Sequence, residues 1–186
     1  DLSPELADYT DYPDYIQQKW YITAAPGERV PVMLLLPRLL DGPAPALLAL
    51  HCDNGMYFFG KKKLIDDESD PKILVQHRQQ YYGGTAIAGE LARRGYVVAV
   101  SDSFYFGGRR PTIPAPPELA PEFLLVAEGS DHWIELVNRV SAIAESAVAK
   151  SLMLAGITWP GINVWDDMRV VDFLLTRPEV DPGRIG

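Results

Sequence analysis

One cysteine, Cys52, in 186 residues excludes an intramolecular disulfide and any cysteine-rich zinc site. Basic residues are in the minority. Seventeen Lys and Arg against 25 Asp and Glu leave a formal net charge of −8. That argues against nucleic acid as the main partner, because phosphate neutralisation needs a basic face. No apolar run reaches the roughly 20 residues needed to span a bilayer, so no membrane partner is expected. The N-terminus, DLSPELADYTDYPDY, is acidic and lacks the basic and apolar regions of a signal peptide. A processed secreted form would look the same, so the compartment stays open, with a slight tilt to the cytoplasm. No internal repeat is visible. The stretch GGTAIAG (83–89) is not Gly-x-Gly-x-x-Gly and has no good strand before it, which rules out a dinucleotide reading. His51, Asp53, His77, Asp102 and His132 match no metal-site spacing, so neither a metal nor a cofactor is expected.

What is present suits one domain with a substantial core: 47% of residues are apolar and 23% charged. Residues 1–18 are polar, rich in Asp and Tyr, and read as a surface arm. Residues 19–24 and 30–36 are β-rich runs around a Pro-Gly turn, a hairpin in which Pro31 favours an edge position or the first residues of its strand. Residues 46–50 (ALLAL) and 96–100 (YVVAV) are continuously apolar, as in strands buried on both faces. Between them, residues 51–82 form a long loop that is either functional or hides a short element. Its Lys61-Lys62-Lys63 run, followed by Asp66-Asp67-Glu68, reads as a solvated stretch. Residues 85–94 form a helix with Ile87 and Leu91 on one face and Gly95 as its stop.

Residues 110–121 hold five prolines, and 111–129 is a candidate lid or excursion. Arg109 and Arg110, at the start of this loop, could hold an acidic substrate group, but paired arginines at a loop start are usually solvated, and they read as such. Ser130 caps a helix to about Leu154, with a core stripe from Trp133 through Val137, Val140 and Ile143 to Ser151. Asn163 caps another to about Thr176, with Val164, Met168, Val171 and Leu175 inward and Trp165, Asp166 and Asp167 in its first turns. A last strand starts near Arg184. The order predicts an α/β fold, mostly parallel, with an antiparallel N-terminal hairpin.

Chemistry is best placed where the strand 46–50 ends. His51 is followed by a polar turn, Cys52-Asp53-Asn54-Gly55, and in open α/β sheets ligands bind beyond the carboxyl ends of strands. A sharp turn there can aim backbone N–H groups at an oxygen gaining negative charge. The other reading is a strand-end turn with a packed histidine. A Cys52–His51 nucleophile pair is disfavoured, since strand neighbours point to opposite faces. Asp102, after the second buried strand, reads as a turn-stabilising carboxylate.

Three segments in order carry a family resemblance. His-x-x-x-Gly (51–55) after a buried strand looks like the oxyanion turn of α/β-hydrolases. GELARRGYVVAVSDSFYFGGRR (89–110) is similar to the helix and strand that follow it in acetyl xylan esterases and dienelactone-hydrolase-like esterases. NVWDDMRVVDFLLTRPEVDPGRIG (163–186) resembles their approach to the nucleophile. The chain departs from the pattern at Cys52 and Asn54, where relatives often carry Gly or Asp, and Gly. It also has no Gly-x-Ser-x-Gly.

The resemblance implies an α/β-hydrolase fold, incomplete in this chain, with the strand at Arg184 central in the sheet. It implies a serine-dependent carboxylic ester hydrolase of acetyl or short-chain acyl type, acting on a small ester, carbohydrate-linked in some relatives. The Asp53 amide becomes the oxyanion donor, with Cys52 and Asn54 as alternatives and His51 and Gly55 as support. Tyr57, Phe58, Phe59, Tyr105 and Phe106, with 111–129, shape the substrate pocket. No catalytic triad residue lies in 1–186; a C-terminal half, in the same or a second chain, supplies it. An inactive binding relative and an S9-type peptidase domain are the alternatives.

Overall fold

The computed structural model describes residues 1–67 and 69–186, so Glu68 of the acidic run lies outside the described residues. Six strands form one mixed sheet in the order β1-β2-β3-β5-β4-β6. They are β1 (Glu5–Asp11), β2 (Tyr15–Ala25), β3 (Glu28–Pro37), β4 (Ala44–Leu48), β5 (Val97–Ser101) and β6 (Val180–Ile185). The first three and β5 pair antiparallel, whereas β5, β4 and β6 run parallel. Helices are α1 (Lys72–Tyr81), α2 (Ile87–Arg93), the short α3 (Ala120–Phe123), α4 (Asp131–Leu154) and α5 (Trp159–Leu175).

Alternation along β3 and β5 divides the core. Leu34, Leu36, Val97 and Ala99 face Val170, Phe173 and Leu174 of α5. Leu35, Val98 and Val100 face Ala88 and Ala92 of α2. A sheet covered on both faces explains why these strands read as unbroken apolar runs.

Several expectations need correction. Within residues 1–18, β1 is a fully exposed edge strand paired to β2, and β2 already begins at Tyr15. Pro31 sits in an interior strand, pairing with Tyr21 on one side. It is tolerated because β5 pairs with β3 only from Val32 onward. In α2 the buried face is Ala88, Gly89 and Ala92, while Ile87 is exposed. Small residues there let the helix approach the sheet; a Cβ at Gly89 would lie 3.1 Å from the Tyr15 hydroxyl. Gly95 does stop the helix with φ +89°.

In α4, Ser130 caps through the Trp133 N–H, and Ile134, Leu136, Val137 and Val140 are buried. Its second half is not core: Ile143, Met153 and Leu154 are exposed. Helix α5 starts four residues before Asn163, capped by Thr158, with Pro160 in its first turn. Its inner face is Asp166, Val170, Phe173 and Leu174, and Val164, Met168 and Leu175 point outward. Asp166 therefore sits mid-helix. It is buried and paired with Arg109, which also binds Glu28 at 2.9 Å, so Arg109 is not solvated. Strand β6 starts at Val180 and is the outermost strand among the described residues.

The long loop 51–82 contains α1 and a turn of 3-10 helix at Gly60–Lys63. Arg78, itself buried, donates to the carbonyls of Lys62, Lys63 and Ile65 and to the Asp70 carboxylate. The lysine run is accordingly not a solvated patch. Lys63 is fully buried, Lys61 pairs with Asp102, and only Lys62 is exposed. No single helix among the described residues is long and apolar enough to cross a membrane.

Candidate active site

Parallel β4 and β5 end at the same edge, which brings the turn after Leu48 beside the turn after Ser101. His51 joins them. Its Nε2 accepts from the Ser103 N–H at 3.1 Å, which leaves Nδ1 to donate to the Cys52 carbonyl at 2.9 Å. Burial, chiefly, pushes the His51 pKa below its ordinary value, and that favours the neutral ring this arrangement needs. The ring also meets Phe106 edge-on at 5.2 Å.

Every polar atom of Cys52 is occupied. Its N–H donates to the Tyr82 hydroxyl at 2.9 Å, and that hydroxyl donates to its sulfur at 2.8 Å. The sulfur is 4.0 Å from His77 Nε2, and the carbonyl accepts from Lys63 Nζ at 2.7 Å. The thiol thus faces His77 rather than His51. The Cys52 amide is already engaged, which removes it from the oxyanion candidates. The N–H groups of Asp53 and Asn54 have no acceptor among the described residues. Gly55 closes the turn on the Asp53 carbonyl, with a φ of +63° that a side chain would strain.

Asp102 locks the neighbouring loop. Fully buried, it accepts from the N–H of Lys61 at 2.7 Å, the N–H of Gly108 at 2.9 Å and the Lys61 ammonium. A Cβ at Gly60 or Gly107 would lie 2.2 or 2.3 Å from its carboxylate. Both glycines are needed for the backbone to approach so closely. This is the turn-stabilising role expected of the residue.

The turn opens on a cleft made of two adjoining cavities of about 510 and 450 Å³, which share Asp53, Phe106, Trp159 and Pro160. Of the five expected pocket aromatics, Tyr57 and Phe106 line it. Tyr105 is fully buried beneath, donating to the Ser141 carbonyl at 2.9 Å. Phe58 belongs to a separate cluster with Phe59 and Trp133. Asn54 and Gly55 line the smaller cavity, His51 and Cys52 the larger. The charged side chains on the cleft are Asp53, Glu145 and Asp167, and none is basic. Tyr57 donates to Glu145, and its own pKa is pushed up by burial and by that bond. Asp167 is pushed up by burial and by Asp166.

Trp159, Asn163, Asp167 and Glu145 were not visible as site residues in the sequence. Thr158 followed by Pro160 is a readable helix start that would have brought Trp159 to the strand edge. No group of three or more His, Cys, Asp or Glu side chains among the described residues is arranged to hold a metal.

No family model matches the chain. A Bacillus subtilis protein named "Putative hydrolase YtaP" is 26% identical over 159 residues, which are 86% of this chain and 39% of that protein. Among solved structures, a Bacteroides fragilis protein described as a "putative acetyl xylan esterase" superposes with a TM-score of 0.64 at 18% identity, over 98% of this chain and 40% of its own. A glucuronoyl esterase from Solibacter usitatus gives 0.53 at 18%, over all of this chain and 45% of its own. The chain thus spans about two fifths of the length of these relatives. The six-stranded mixed sheet, its helical layers and these likenesses give the chain an α/β-hydrolase fold, of which it spans part.

Proposed function

We propose that the chain supplies the oxyanion turn and part of the substrate pocket of a serine-dependent carboxylic ester hydrolase acting on acetyl or other short acyl esters. The observation that carries this reading is the Asp53 amide. It lies in the turn that follows parallel strand β4, on a residue that borders both halves of the cleft, and it has no acceptor among the described residues. His51, Tyr82 and Lys63 hold the preceding residue from three sides. Such a preorganised donor stabilises a tetrahedral oxyanion by about 3 kcal/mol, because it need not reorganise as charge develops.

The serine, acid and histidine come from outside residues 1–186. The Leu48 N–H donates to the Gly186 carbonyl at 2.9 Å, so a chain continuing along β6 emerges beside Leu50–Asp53. A nucleophile placed there would share the strand-end edge with the His51–Gly55 turn. Trp159 and Phe106 offer an aromatic wall to the alcohol portion, a sugar ring included.

The test uses the full-length protein. Hydrolysis of 4-nitrophenyl acetate together with covalent labelling of one serine by a fluorophosphonate is the expected result. Labelling without turnover, or neither, would sink the reading and leave a binding relative of the same fold.

A further inference from the structure

The cleft at Asp53 is not the molecule's only built cavity. A second one, of about 360 Å³, lies between the proline-rich loop and α4 and shares no lining residue with the cleft. Ile113, Ala115, Phe123, Trp133, Val137 and Val140 make its walls apolar, and Arg110 lines it too. The Arg110 guanidinium lies 5.5 Å from the centre of the Phe58 ring. Its side chain makes no hydrogen bond and no ion pair with any described residue, and its Nε is buried without a partner. Its neighbour Arg109, by contrast, is fully committed to Asp166 and Glu28.

A half-buried guanidinium without an acceptor carries an uncompensated desolvation cost. A carboxylate offsets that cost, because its two oxygens match the planar fork of donors. The remainder of the ligand must suit an apolar enclosure of this size. Glu128 also lines the cavity; it is exposed and forms no ion pair with Arg110. Its charge disfavours a ligand with a second anionic group.

We propose that this cavity binds a monocarboxylate with an apolar, aryl- or alkyl-sized body, held by Arg110. The site is independent of the ester-hydrolase reading, since it contains no residue of the oxyanion turn or the cleft.

Trp133 in the wall is a built-in reporter. Titration of the protein with 3-phenylpropionate, followed by Trp fluorescence and by calorimetry, should show saturable binding. The neutral analogue 3-phenylpropanol should bind at least about tenfold more weakly, the loss of one charge-assisted contact, and the dianion phenylsuccinate should also bind more weakly, because Glu128 repels its second carboxylate. Arg110→Met should abolish the preference for the acid, while Trp133→Phe removes the optical signal and keeps the heat of binding. Equal affinity for acid and alcohol in the unmodified protein would overturn the proposal, whatever the folding of the variants. Retention of acid binding by Arg110→Met, or no saturation at millimolar ligand, would overturn it as well.

Discussion

The Tyr82 hydroxyl sits between two atoms of Cys52, accepting from its backbone N–H at 2.9 Å and donating to its sulfur at 2.8 Å. Thirty residues of sequence separate the partners, and α1 brings them together. One hydroxyl thereby fixes both the backbone and the side chain of the residue before Asp53. Tyr82→Phe should remove both bonds and destabilise the protein by about 1–2 kcal/mol in chemical denaturation, the cost of leaving a part-buried N–H unpaired. Iodoacetamide should also alkylate Cys52 faster in the variant, since the residue lines the cleft and its thiol loses the Tyr82 bond. An unchanged alkylation rate would mean that Tyr82 does not hold the thiol.

The Asp53 amide is testable because proline deletes it. Asp53→Pro should lower kcat for an aryl acetate by about 10²–10³-fold with little change in KM, the pattern of a lost transition-state donor. Asp53→Ala keeps the N–H and should stay within a few-fold of the parent protein. Equal losses in the two variants would assign the effect to the carboxylate instead.

Two buried titratable groups behind the turn give stability an identifiable pH dependence. Lys63 is pushed down from 10.5 to about 8, chiefly by burial, and His77 from 6.5 to about 4 by burial and the cations Lys63 and Arg78. Both pKa values are lower folded than unfolded, so in each window the unfolded chain binds the extra proton and stability rises with pH. For His77 the contribution is lost as pH falls from 6.5 towards 4. For Lys63 the penalty is full below about 8 and relieved by 10.5. Denaturation curves of His77→Gln should be flatter than the parent's only in the acid window, whereas those of Lys63→Met should be flatter in the alkaline one and, to a smaller degree, in the acid one, because the Lys63 cation contributes to the His77 shift.

Close approach to Asp102 separates two glycines of similar φ. Gly95 (φ +89°) has open space where a Cβ would stand, whereas at Gly107 (φ +53°) it would lie 2.3 Å from the Asp102 carboxylate. Gly95→Ala should cost about 1–2 kcal/mol from backbone strain alone. Gly107→Ala should cost at least about 2 kcal/mol more, because the buried carboxylate it displaces holds Lys61 and Gly108. Similar melting temperatures for the two variants would contradict this account.

The legible parts of the fold were those fixed by local pattern. β3, β4 and β5 announced themselves as short apolar runs, Gly95 and Ser130 as helix punctuation, and the His51 turn by its place after a buried strand. Helix α5 was misread because both faces are apolar. Val164, Met168, Val171 and Leu175 have the same helical spacing as Val170, Phe173 and Leu174, and periodicity cannot choose between two such stripes. The partners that hold the turn, His77, Tyr82 and Lys63, were hidden for another reason. Each meets Cys52 across 11 to 30 residues of loop, and no local signal encodes those contacts.

That misread face has its own consequence. Val164, Trp165, Met168 and Leu175 on α5, with Met153 and Leu154 at the end of α4, are all exposed, Leu154 to 90%. Among the described residues β6, which packs against α5, pairs only with β4, so its outer edge offers unpaired backbone groups. An apolar helical face next to an open strand edge is an aggregation hazard unless something covers it. A polypeptide limited to residues 1–186 should therefore self-associate, with sizing chromatography showing oligomers that grow with concentration. Met168→Lys together with Leu154→Lys should shift the distribution towards monomer, since neither side chain contributes to the core on either face of the sheet. A stable monomer at about 100 μM, well inside the range where exposed edges and apolar surface drive association, would show that this face is compatible with water as it stands.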